Sequence, residues 1–522
     1  MLKASGNAAK NVADFKPTVF FGAIAIIGLL IASAVFNADV AAERFGAIQL
    51  AATRNFGWLL VLVVNILLII CVYLAFSRSG RIRLGGSTAK PAYSTLTWFS
   101  MLFSAGMGIG LLFYGVAEPV LHFSNPPLSA FSEPGAALPQ GIAGNAQHAM
   151  GLTFLHWGLH AWAIYAVIGL ALAYVAFNRG LSLSIGSFLK AAFPRVPMWM
   201  VSAVDILAIV ATVCGVAASL GFGASQINAG LALLFGIPDS GMAKAVLIAV
   251  ITLLATASVA LGLDKGIRRL SEINMALAVA LALFVLALGP TVFLLDAFIQ
   301  NIGYYLQKFL YLSTWTETYS NAEWQSDWTI FYWAWWVSWS PFVGIFIARI
   351  SYGRTIREFI GGVLLVPVLF TFAWMTIFGD SALYIELFGG GGLSEAVNAS
   401  MPDALFAFLA NFPASELVSG LAIVIVATFF VTSADSGALV TAMIASGGNQ
   451  EASFVTRVTW AIAIGALAGA LLWAGGLGAL QTAAIITGLP FALVLLAMAF
   501  GLLKMLRQNH AGDLPVASEE TT

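Results

Sequence analysis

Four tryptophans crowd one short stretch of this 522-residue chain, at Trp333, Trp335, Trp336 and Trp339. On a helix, at about 100° per residue, the last three share one face with Phe342, whereas Trp333 points elsewhere. Ring faces attract a cation that has no N–H groups to donate, by about 2 kcal/mol or more once water is excluded. An aromatic belt at the membrane interface is the alternative, but the run continues inward over about three turns, deeper than a belt. The stretch therefore favours a cage for a quaternary onium group.

A second aromatic cluster lies earlier in the chain, in the stretch HWGLHAWAIYA. Trp157, Trp162 and Tyr165 fall within an arc of about 140° on a helix, so they can share one face. His156 and His160 lie among them, and we interpret both as hydrogen-bonded core residues rather than ligands. None of the histidines pairs with cysteine or glutamate at ligand spacing, so the sequence predicts no metal centre of that kind.

Two unusual stretches interrupt otherwise apolar runs. FSAGMGIG has glycines at alternate positions. This spacing favours an unwound helix whose backbone groups can bind a cation or a carboxylate. Close packing of helices through small residues is the alternative.

TFFVTSADSG holds a polar cluster that includes Thr432 and Ser433, and polar clusters at membrane depth usually mark an ion or substrate path. Pro341 follows the tryptophans, and we expect a helix break there.

The composition of the chain requires a membrane. It is 60% hydrophobic and only 9% charged, whereas soluble domains have roughly 25% charged residues. Apolar runs of spanning length predict twelve helices, centred near residues 27, 66, 105, 162, 215, 253, 285, 339, 370, 430, 465 and 492. The fifth and tenth look longer than a bilayer requires. The net charge of −1 argues against a nucleic-acid partner. No constellation of catalytic side chains indicates an enzyme, so we expect a transporter.

The charges in the loops predict an orientation. Lysine and arginine are concentrated before the first span and in every second loop, which places those loops and both termini in the cytoplasm. The alternate loops are acidic or mixed, and we assign Glu118 and Glu133 to one of them. The segment from about 297 to 315 reads as an amphipathic helix in the outer interface. The sequence thus predicts a multi-pass protein of the inner (plasma) membrane.

The motifs quoted above, together with WTIFYWAWWVSWSPFVGIFIARISYGRTIREF, resemble the betaine/choline/carnitine transporter family over essentially the whole chain. The resemblance implies an all-α integral membrane protein of the leucine-transporter type, with inverted repeats formed by spans 3–7 and 8–12. It also implies a homotrimer with the amphipathic helix at its interface. The implied regions are a tail at 1–17, peripheral spans 1 and 2 at 18–90, the first repeat at 91–297, the amphipathic helix and outer loop at 298–327, the second repeat at 328–506 and a tail at 507–522.

By position in these motifs, the resemblance also implies a substrate site and a sodium site. The aromatic box would be Trp157, Trp162, Tyr165 and Trp336, and the path would be lined by Trp335, Trp339, Phe342, Gly106, Met107, Gly108 and Gly110. Sodium would be bound by backbone carbonyls of Ser104, Met107 and Phe429 and by the hydroxyls of Thr432 and Ser433. A second sodium site would use Thr212 and Ser219, although Val216 stands where a threonine is usual.

These features predict a symporter that couples sodium influx to uptake of a zwitterionic onium compound, such as the osmoprotectant glycine betaine or dimethylsulfoniopropionate. Sodium is the coupling ion, and no cofactor is expected. A sodium-independent exchanger for carnitine and its precursors is the first alternative, although the span-five arginine of such exchangers is absent here. An onium-gated channel or receptor is the second.

The sequence also predicts poor transport of choline, which carries a net charge of +1. The family's choline transporters have an aspartate at the position of Gly110, and no acidic side chain lies between Trp98 and Val116. A buried net charge requires a nearby counter-charge. We therefore expect Gly110→Asp to gain choline uptake.

Overall fold

The computed structural model describes residues 15–36, 38–106, 108–127, 142–261, 264–320 and 323–510. Within these ranges the chain is helical and forms no strand, and one isolated bridge pairs Arg83 with Thr355. The all-α prediction is therefore confirmed for the described residues.

The helices follow one another along the chain with short connections. In order they are α1 (Pro17–Phe36), α2 (Ala38–Phe76), α3 (Thr95–Gly106), α4 (Ile109–Ser124), α5 (Ile142–Trp157), α6 (Leu159–Arg179), α7 (Ile185–Ala192), α8 (Met198–Phe235), α9 (Gly241–Leu261), α10 (Asp264–Leu288), α11 (Thr291–Thr314), α12 (Trp324–Asp327), α13 (Thr329–Ile350), α14 (Ile356–Met375), α15 (Ser381–Phe388), α16 (Leu393–Ala399), α17 (Ala404–Leu409), α18 (Ser415–Ala445) and α19 (Phe454–His510). Single turns at Arg78–Arg81, Thr376–Asp380 and Met401–Asp403 complete the described elements.

Ten helical segments among the described residues are long and apolar enough to cross a membrane. All twelve predicted span centres fall within described helices, and the last two share α19. Gly475 and Gly476 have non-helical dihedral angles inside α19, so it consists of two helices joined at a kink. The predicted long spans are confirmed, because α8 has 38 residues and α18 has 31. At about 1.5 Å per residue, both exceed the roughly 30 Å of a bilayer core.

The centre of the molecule is built from helices that are apolar on all sides. In the hydrophobic window of α13, 78% of the residues are buried, compared with 28% for α1 and 22% for α9. Helix α13 packs against α6, α8, α18 and α19, α8 also packs against α18 and α19, and α6 packs against α19. A helix that is apolar all round is expected in such a central position.

Two helix breaks position backbone groups beside the centre. The predicted break in span three is confirmed, because α3 ends at Gly106 and α4 starts after Gly108, whose backbone is extended (φ −164°, ψ −178°). The second break, at Gly158 between α5 and α6, was not predicted. A Cβ at Gly158 would lie 2.4 Å from the carbonyl oxygen of Phe154, so only glycine fits this close approach.

The helix break expected at Pro341 is not present, and that prediction is wrong. Helix α13 continues through the proline to Ile350. Proline cannot donate to the carbonyl of Val337, four residues earlier. The hydroxyl of Ser340 donates to that carbonyl instead, at 2.7 Å. This local hydroxyl replaces the missing backbone bond and lets the helix run on.

The predicted amphipathic segment is part of α11, which starts at Thr291 rather than near residue 297. One face of α11 is buried and includes Asn301, Tyr304 and Tyr305. The opposite face exposes large apolar side chains, namely Val292, Leu295, Ile299, Leu306 and Leu310. Helix α11 therefore has one buried face and one exposed apolar face, and its predicted place in the outer interface stays a prediction.

Candidate functional site

A cavity of about 50 Å³ lies where α4, α6 and α13 meet, and we call it the tryptophan cavity. Both predicted aromatic clusters contribute to its wall. Of the residues predicted to contact substrate, eight line it: Trp157, Trp162, Tyr165, Trp335, Trp336, Trp339, Gly108 and Gly110. Phe342 does not line this cavity but a neighbouring one.

Around the tryptophan cavity, the four rings predicted for the aromatic box meet at steep angles, whereas Trp335 stacks on Trp336 at 4.7 Å and 17°. Trp157 and Trp336 lie 5.0 Å apart, centroid to centroid, at 72°. Tyr165 lies 6.4 Å from Trp336 at 75°, and 5.5 Å from Trp162 at 80°. None of the described residues that line the cavity carries a charged side chain. Ring faces turned towards a shared space without competing charge form a favourable environment for a soft cation.

The indole N–H groups of Trp335, Trp336 and Trp339 donate to backbone carbonyls. Trp336 donates to the carbonyl of His156 at 2.9 Å, a group in the last turn of α5 next to the Gly158 break. Trp335 and Trp339 both donate to the carbonyl of Gly215 in α8, at 3.4 and 2.8 Å. A ligand in the cavity would therefore meet no free N–H group on these three rings.

A buried carboxylate lies behind Trp157. The sequence analysis placed Glu118 in an outer loop, and this is wrong, because Glu118 is fully buried within α4. Its Oε2 accepts hydrogen bonds from Trp157 Nε1, at 2.7 Å, and from the hydroxyl of Tyr332. Its Oε1 lies 2.7 Å from His156 Nδ1 and 3.3 Å from His122 Nε2.

Two histidines, His122 and His156, belong to this polar cluster. The core role predicted for His156 and His160 is confirmed, because His156 bonds to Glu118 and Thr329, and His160 lies 3.3 Å from the side chain of Asn65. The statement that no histidine pairs with a glutamate is wrong. Glu118 and His122 are four residues apart, which places them on one helix face.

The ligand atoms of Glu118, His122 and His156 lie within 4.8 Å of one another, near enough to share a metal ion. However, the four side chains that surround the carboxylate supply a hydrogen bond for each of its acceptor positions. The carboxylate is therefore fully hydrogen-bonded, whereas His122 Nδ1 is buried without a partner among the described residues.

Gly110 lies against the aromatic wall. A Cβ at this position would stand 2.8 Å from Trp335 Cη2 and 3.0 Å from Trp157 Cη2. Any side chain there displaces at least one of these rings. The aspartate proposed for this position would therefore alter the cavity as well as its charge.

A second cavity, of about 320 Å³, lies between α10, α13 and α18, and we call it the Arg349 cavity. It shares Trp339 and Val343 with the tryptophan cavity, so the two are adjacent. Its other walls include Phe342, Phe429, Thr432, Ser433 and Arg349. The hydroxyl of Thr432 donates to the carbonyls of Thr428 and Phe429, at 3.0 and 3.2 Å.

The remaining residues predicted to bind sodium are only partly placed. Met107 lies outside the described residues, and of Ser104 and Gly106 the structure describes the helical backbone at the end of α3. Thr212 donates to Ala208 within α8 and lines neither cavity. Ser219 donates to Gly215 and lines the tryptophan cavity. The two hydroxyls predicted for a second sodium site thus do not meet in one cavity.

Comparison with known proteins places the chain among transporters. Residues 18–511 match the family described as "BCCT, betaine/carnitine/choline family transporter". A glycine betaine transporter of Acinetobacter baylyi is 44% identical over 516 residues, 98% of this chain and 77% of the relative. The glycine betaine transporter OpuD of Bacillus subtilis is 43% identical over 94% of this chain and 95% of its own. A high-affinity choline transport protein of Escherichia coli is 41% identical over 94% and 72%. The chain therefore belongs to the betaine/carnitine/choline transporter family and is a membrane transporter, not an enzyme.

Proposed function

We propose that the protein is a secondary symporter that couples sodium influx to the uptake of a zwitterionic onium compound such as glycine betaine or dimethylsulfoniopropionate. The observation that carries this proposal is the tryptophan cavity, where Trp157, Trp162, Tyr165 and Trp336 surround one space. Trimethylammonium and dimethylsulfonium groups have no N–H to donate, so ring faces are their natural partners. The relatives named for glycine betaine support the same class of substrate.

The start of α4, which also lines the cavity, suits the carboxylate of such a substrate. Gly108, Ile109 and Gly110 line the cavity at the start of α4. The first N–H groups of a helix have no partner within the helix and carry a partial positive charge, so they attract anions. A zwitterion would place its cation among the rings and its carboxylate at this helix end.

Sodium binding is supported by oxygen-bearing residues of α18, since Phe429, Thr432 and Ser433 line the Arg349 cavity. Ile109, just after the break, and Phe430 of α18 both lie within 3.4 Å of the position of a Cβ on Gly223. This shared contact brings Phe430, the neighbour of Phe429 in the sequence, close to the start of α4. Carbonyl and hydroxyl oxygens are the ligands that hard cations prefer. We propose one sodium site here.

A second sodium site has less support. Val216 lies 3.3 Å from the position of a Cβ on Gly437, so its methyl groups occupy the contact between α8 and α18. A methyl group offers no ligand to a cation. We therefore do not extend the proposal to Thr212 and Ser219.

The transport cycle that we propose is alternating access around the tryptophan cavity. In it, spans 3–7 and 8–12 form inverted repeats, the twelve spans leave both termini in the cytoplasm, and α11 mediates a homotrimer. The exposed apolar face of α11 is suited to such an interface. The adjacent Arg349 cavity would be the inner part of the path. It extends from Trp339, which it shares with the tryptophan cavity, to Arg349 in the last turn of α13.

Uptake into proteoliposomes tests this function. Radiolabelled glycine betaine should accumulate above its external concentration when an inward sodium gradient is imposed, and should not when potassium replaces sodium. An exchanger would require internal substrate and ignore sodium. A channel or receptor would never concentrate the ligand. Either of those two results would contradict the proposal.

A further inference from the structure

The connection between α11 and α12 contains two buried oxygen atoms that accept no hydrogen bond. Glu317 and Gln325 are each only 6% exposed. Neither Glu317 Oε1 nor Gln325 Oε1 has a hydrogen-bond donor among the described residues. Their other polar side-chain atoms are bonded, since Glu317 Oε2 accepts the backbone N–H of Gln325 at 2.8 Å and Gln325 Nε2 donates to the carbonyl of Trp315 at 2.9 Å. Both unpaired atoms are acceptors, so each requires a donor or a cation.

The backbone of Glu317 has a conformation that L residues rarely adopt. Its φ is 57°, and among the described residues other than glycine, Ala414 alone also has a positive φ. Such conformations cost free energy and occur most often at active sites and ligand-binding sites. In this case the strained residue is the one whose carboxylate oxygen is buried without a partner.

Glu317 and Gln325 line a cavity of about 650 Å³ between this connection and α2, and we call it the Glu317 cavity. Its wall contains further side chains that carry oxygen, namely Thr53, Thr316, Thr318, Ser320, Glu323 and Ser326. Hard cations such as Ca²⁺ are bound by carboxylate, amide and carbonyl oxygens together with water. Because side chains at the rim such as Arg54 are exposed, water can reach the cavity.

The Glu317 cavity has an excess of negative charge. Its described lining residues include two carboxylates, Glu317 and Glu323, and one basic side chain, Arg54. Arg54 Nη2 lies 2.6 Å from Glu323 Oε1, so this arginine offsets Glu323. Burial raises the pKa of Glu317 above its ordinary value; the N–H of Gln325 opposes this increase, and the negative charge of nearby Asp327 adds to it. A divalent cation beside Glu317 would offset both of these negative charges.

We propose that the Glu317 cavity binds one Ca²⁺ ion, which Glu317 Oε1 and Gln325 Oε1 ligate and which water and neighbouring oxygens complete. The proposal is independent of the proposed function, because it concerns the α11–α12 connection and not the tryptophan cavity. Ca²⁺ suits these ligands better than Mg²⁺ does. It accepts about six to eight oxygens in flexible geometry, amide oxygens among them, whereas Mg²⁺ demands near-ideal octahedral geometry.

The ion would fix the segment that leads into α13. Helix α12 immediately precedes α13 along the chain. Its Trp324 lies 5.5 Å from Trp315, which follows α11, and 5.0 Å from His122 of α4, centroid to centroid. A cation bound between the two ends of the α11–α12 connection would therefore hold α12 in its place between α11 and α4, and bound Ca²⁺ should stabilise the fold.

The first test measures calcium binding to the unmodified protein. Purified protein in detergent, in which both faces are accessible, is stripped of divalent cations and dialysed against radioactive Ca²⁺ at one sodium concentration. Extracellular calcium modules bind with a Kd of about 0.1–1 mM, so we expect one Ca²⁺ per chain with a Kd in this range. The midpoint of thermal unfolding should rise over the same calcium range. Absence of binding at concentrations about tenfold higher overturns the proposal.

The second test locates the ion. Glu317→Gln removes the charge of one ligand, and we expect the calcium Kd to rise by at least about tenfold. Glu386→Gln is the matched control, because Glu386 Oε1 accepts the backbone N–H of Ser394, also eight residues further along the chain, and Glu386 does not line the Glu317 cavity. It should leave the Kd unchanged. An unchanged Kd in Glu317→Gln, or an equal rise in Glu386→Gln, overturns the proposal.

The third test changes the charge near the site and the identity of the ion. Asp327 is exposed, so Asp327→Asn does not disturb buried packing, and loss of its charge should raise the calcium Kd by about threefold. Mg²⁺ should compete with Ca²⁺ at least about tenfold more weakly than unlabelled Ca²⁺ does. An unchanged Kd in Asp327→Asn, or equal competition by Mg²⁺, overturns the assignment. If Glu317→Gln does not elute as a single folded species, the unmodified protein and Asp327→Asn still decide the question.

Discussion

Replacement of Trp336 is the sharpest test of the tryptophan cavity. Trp336 meets Trp157 and Tyr165 edge to face. Trp336→Leu removes one ring face from a desolvated site, which costs about 2 kcal/mol of cation–π attraction. Since about 1.4 kcal/mol is a factor of ten, KM for glycine betaine should rise by about thirtyfold. The measurement is initial uptake rate against substrate concentration in proteoliposomes, normalised to reconstituted protein.

Trp336→Phe should be milder, because a ring face remains. It loses the hydrogen bond from the indole to the carbonyl of His156, worth about 1 kcal/mol, so KM should rise about fivefold. Trp333 on the same helix supplies the control, because it is buried but contacts His160 rather than the cavity. Trp333→Leu should leave KM unchanged. Equal increases for Leu and Phe at position 336, or a similar increase for Trp333→Leu, would refute the cation–π argument.

Three further substitutions test other parts of the site. Thr432→Ala combined with Ser433→Ala should abolish sodium-stimulated uptake, because two proposed oxygen ligands disappear; unchanged sodium dependence would contradict the site. Gly110→Ala should lower uptake by at least about tenfold with normal protein abundance, because the added Cβ displaces Trp335 or Trp157. Uptake at the wild-type rate would show that these rings can move without loss of transport. Gly158→Ala should lower the free energy of unfolding by about 1–3 kcal/mol, measured by thermal denaturation, whereas Gly361→Ala, which adds a Cβ in open space, should not.

Much of the fold follows from the sequence because the bilayer restricts what an apolar chain can do. Every backbone group at membrane depth must be bonded internally, so long apolar runs become helices. The span centres could be predicted from this rule, and the break after Gly106 from the alternating glycines. The Gly158 break could not, because a single glycine within an apolar run is also compatible with an unbroken helix. The helix break expected at Pro341 does not form, because the hydroxyl of Ser340 donates to the carbonyl of Val337 in place of the missing backbone N–H.

The aromatic part of the site could also be predicted, since it depends on residues that recur at helical spacing within two stretches. The Glu118 cluster could not be found in the same way. Its members come from α4, α5 and α13, and the counting of charges in loops assigned Glu118 to the wrong environment. One signal was present in the sequence: a glutamate and a histidine four residues apart, Glu118 and His122, in a stretch that continues an apolar helix.

The indole hydrogen bonds explain how these parts act together. In the tryptophan cavity, a ring can present its face to a cation only if its N–H is bound elsewhere, since an unpaired N–H in an apolar site costs free energy. Trp339 and Trp336 bind carbonyls of α8 and α5, and Trp157 binds Glu118 of α4. These bonds therefore connect helices of the two halves of the chain through the box itself. A movement that separates α13 from α5 or α8 must break the indole hydrogen bond of Trp336 or Trp339 and turn its ring. Opening of the path and loss of the aromatic cage would therefore be coupled through these indole N–H groups.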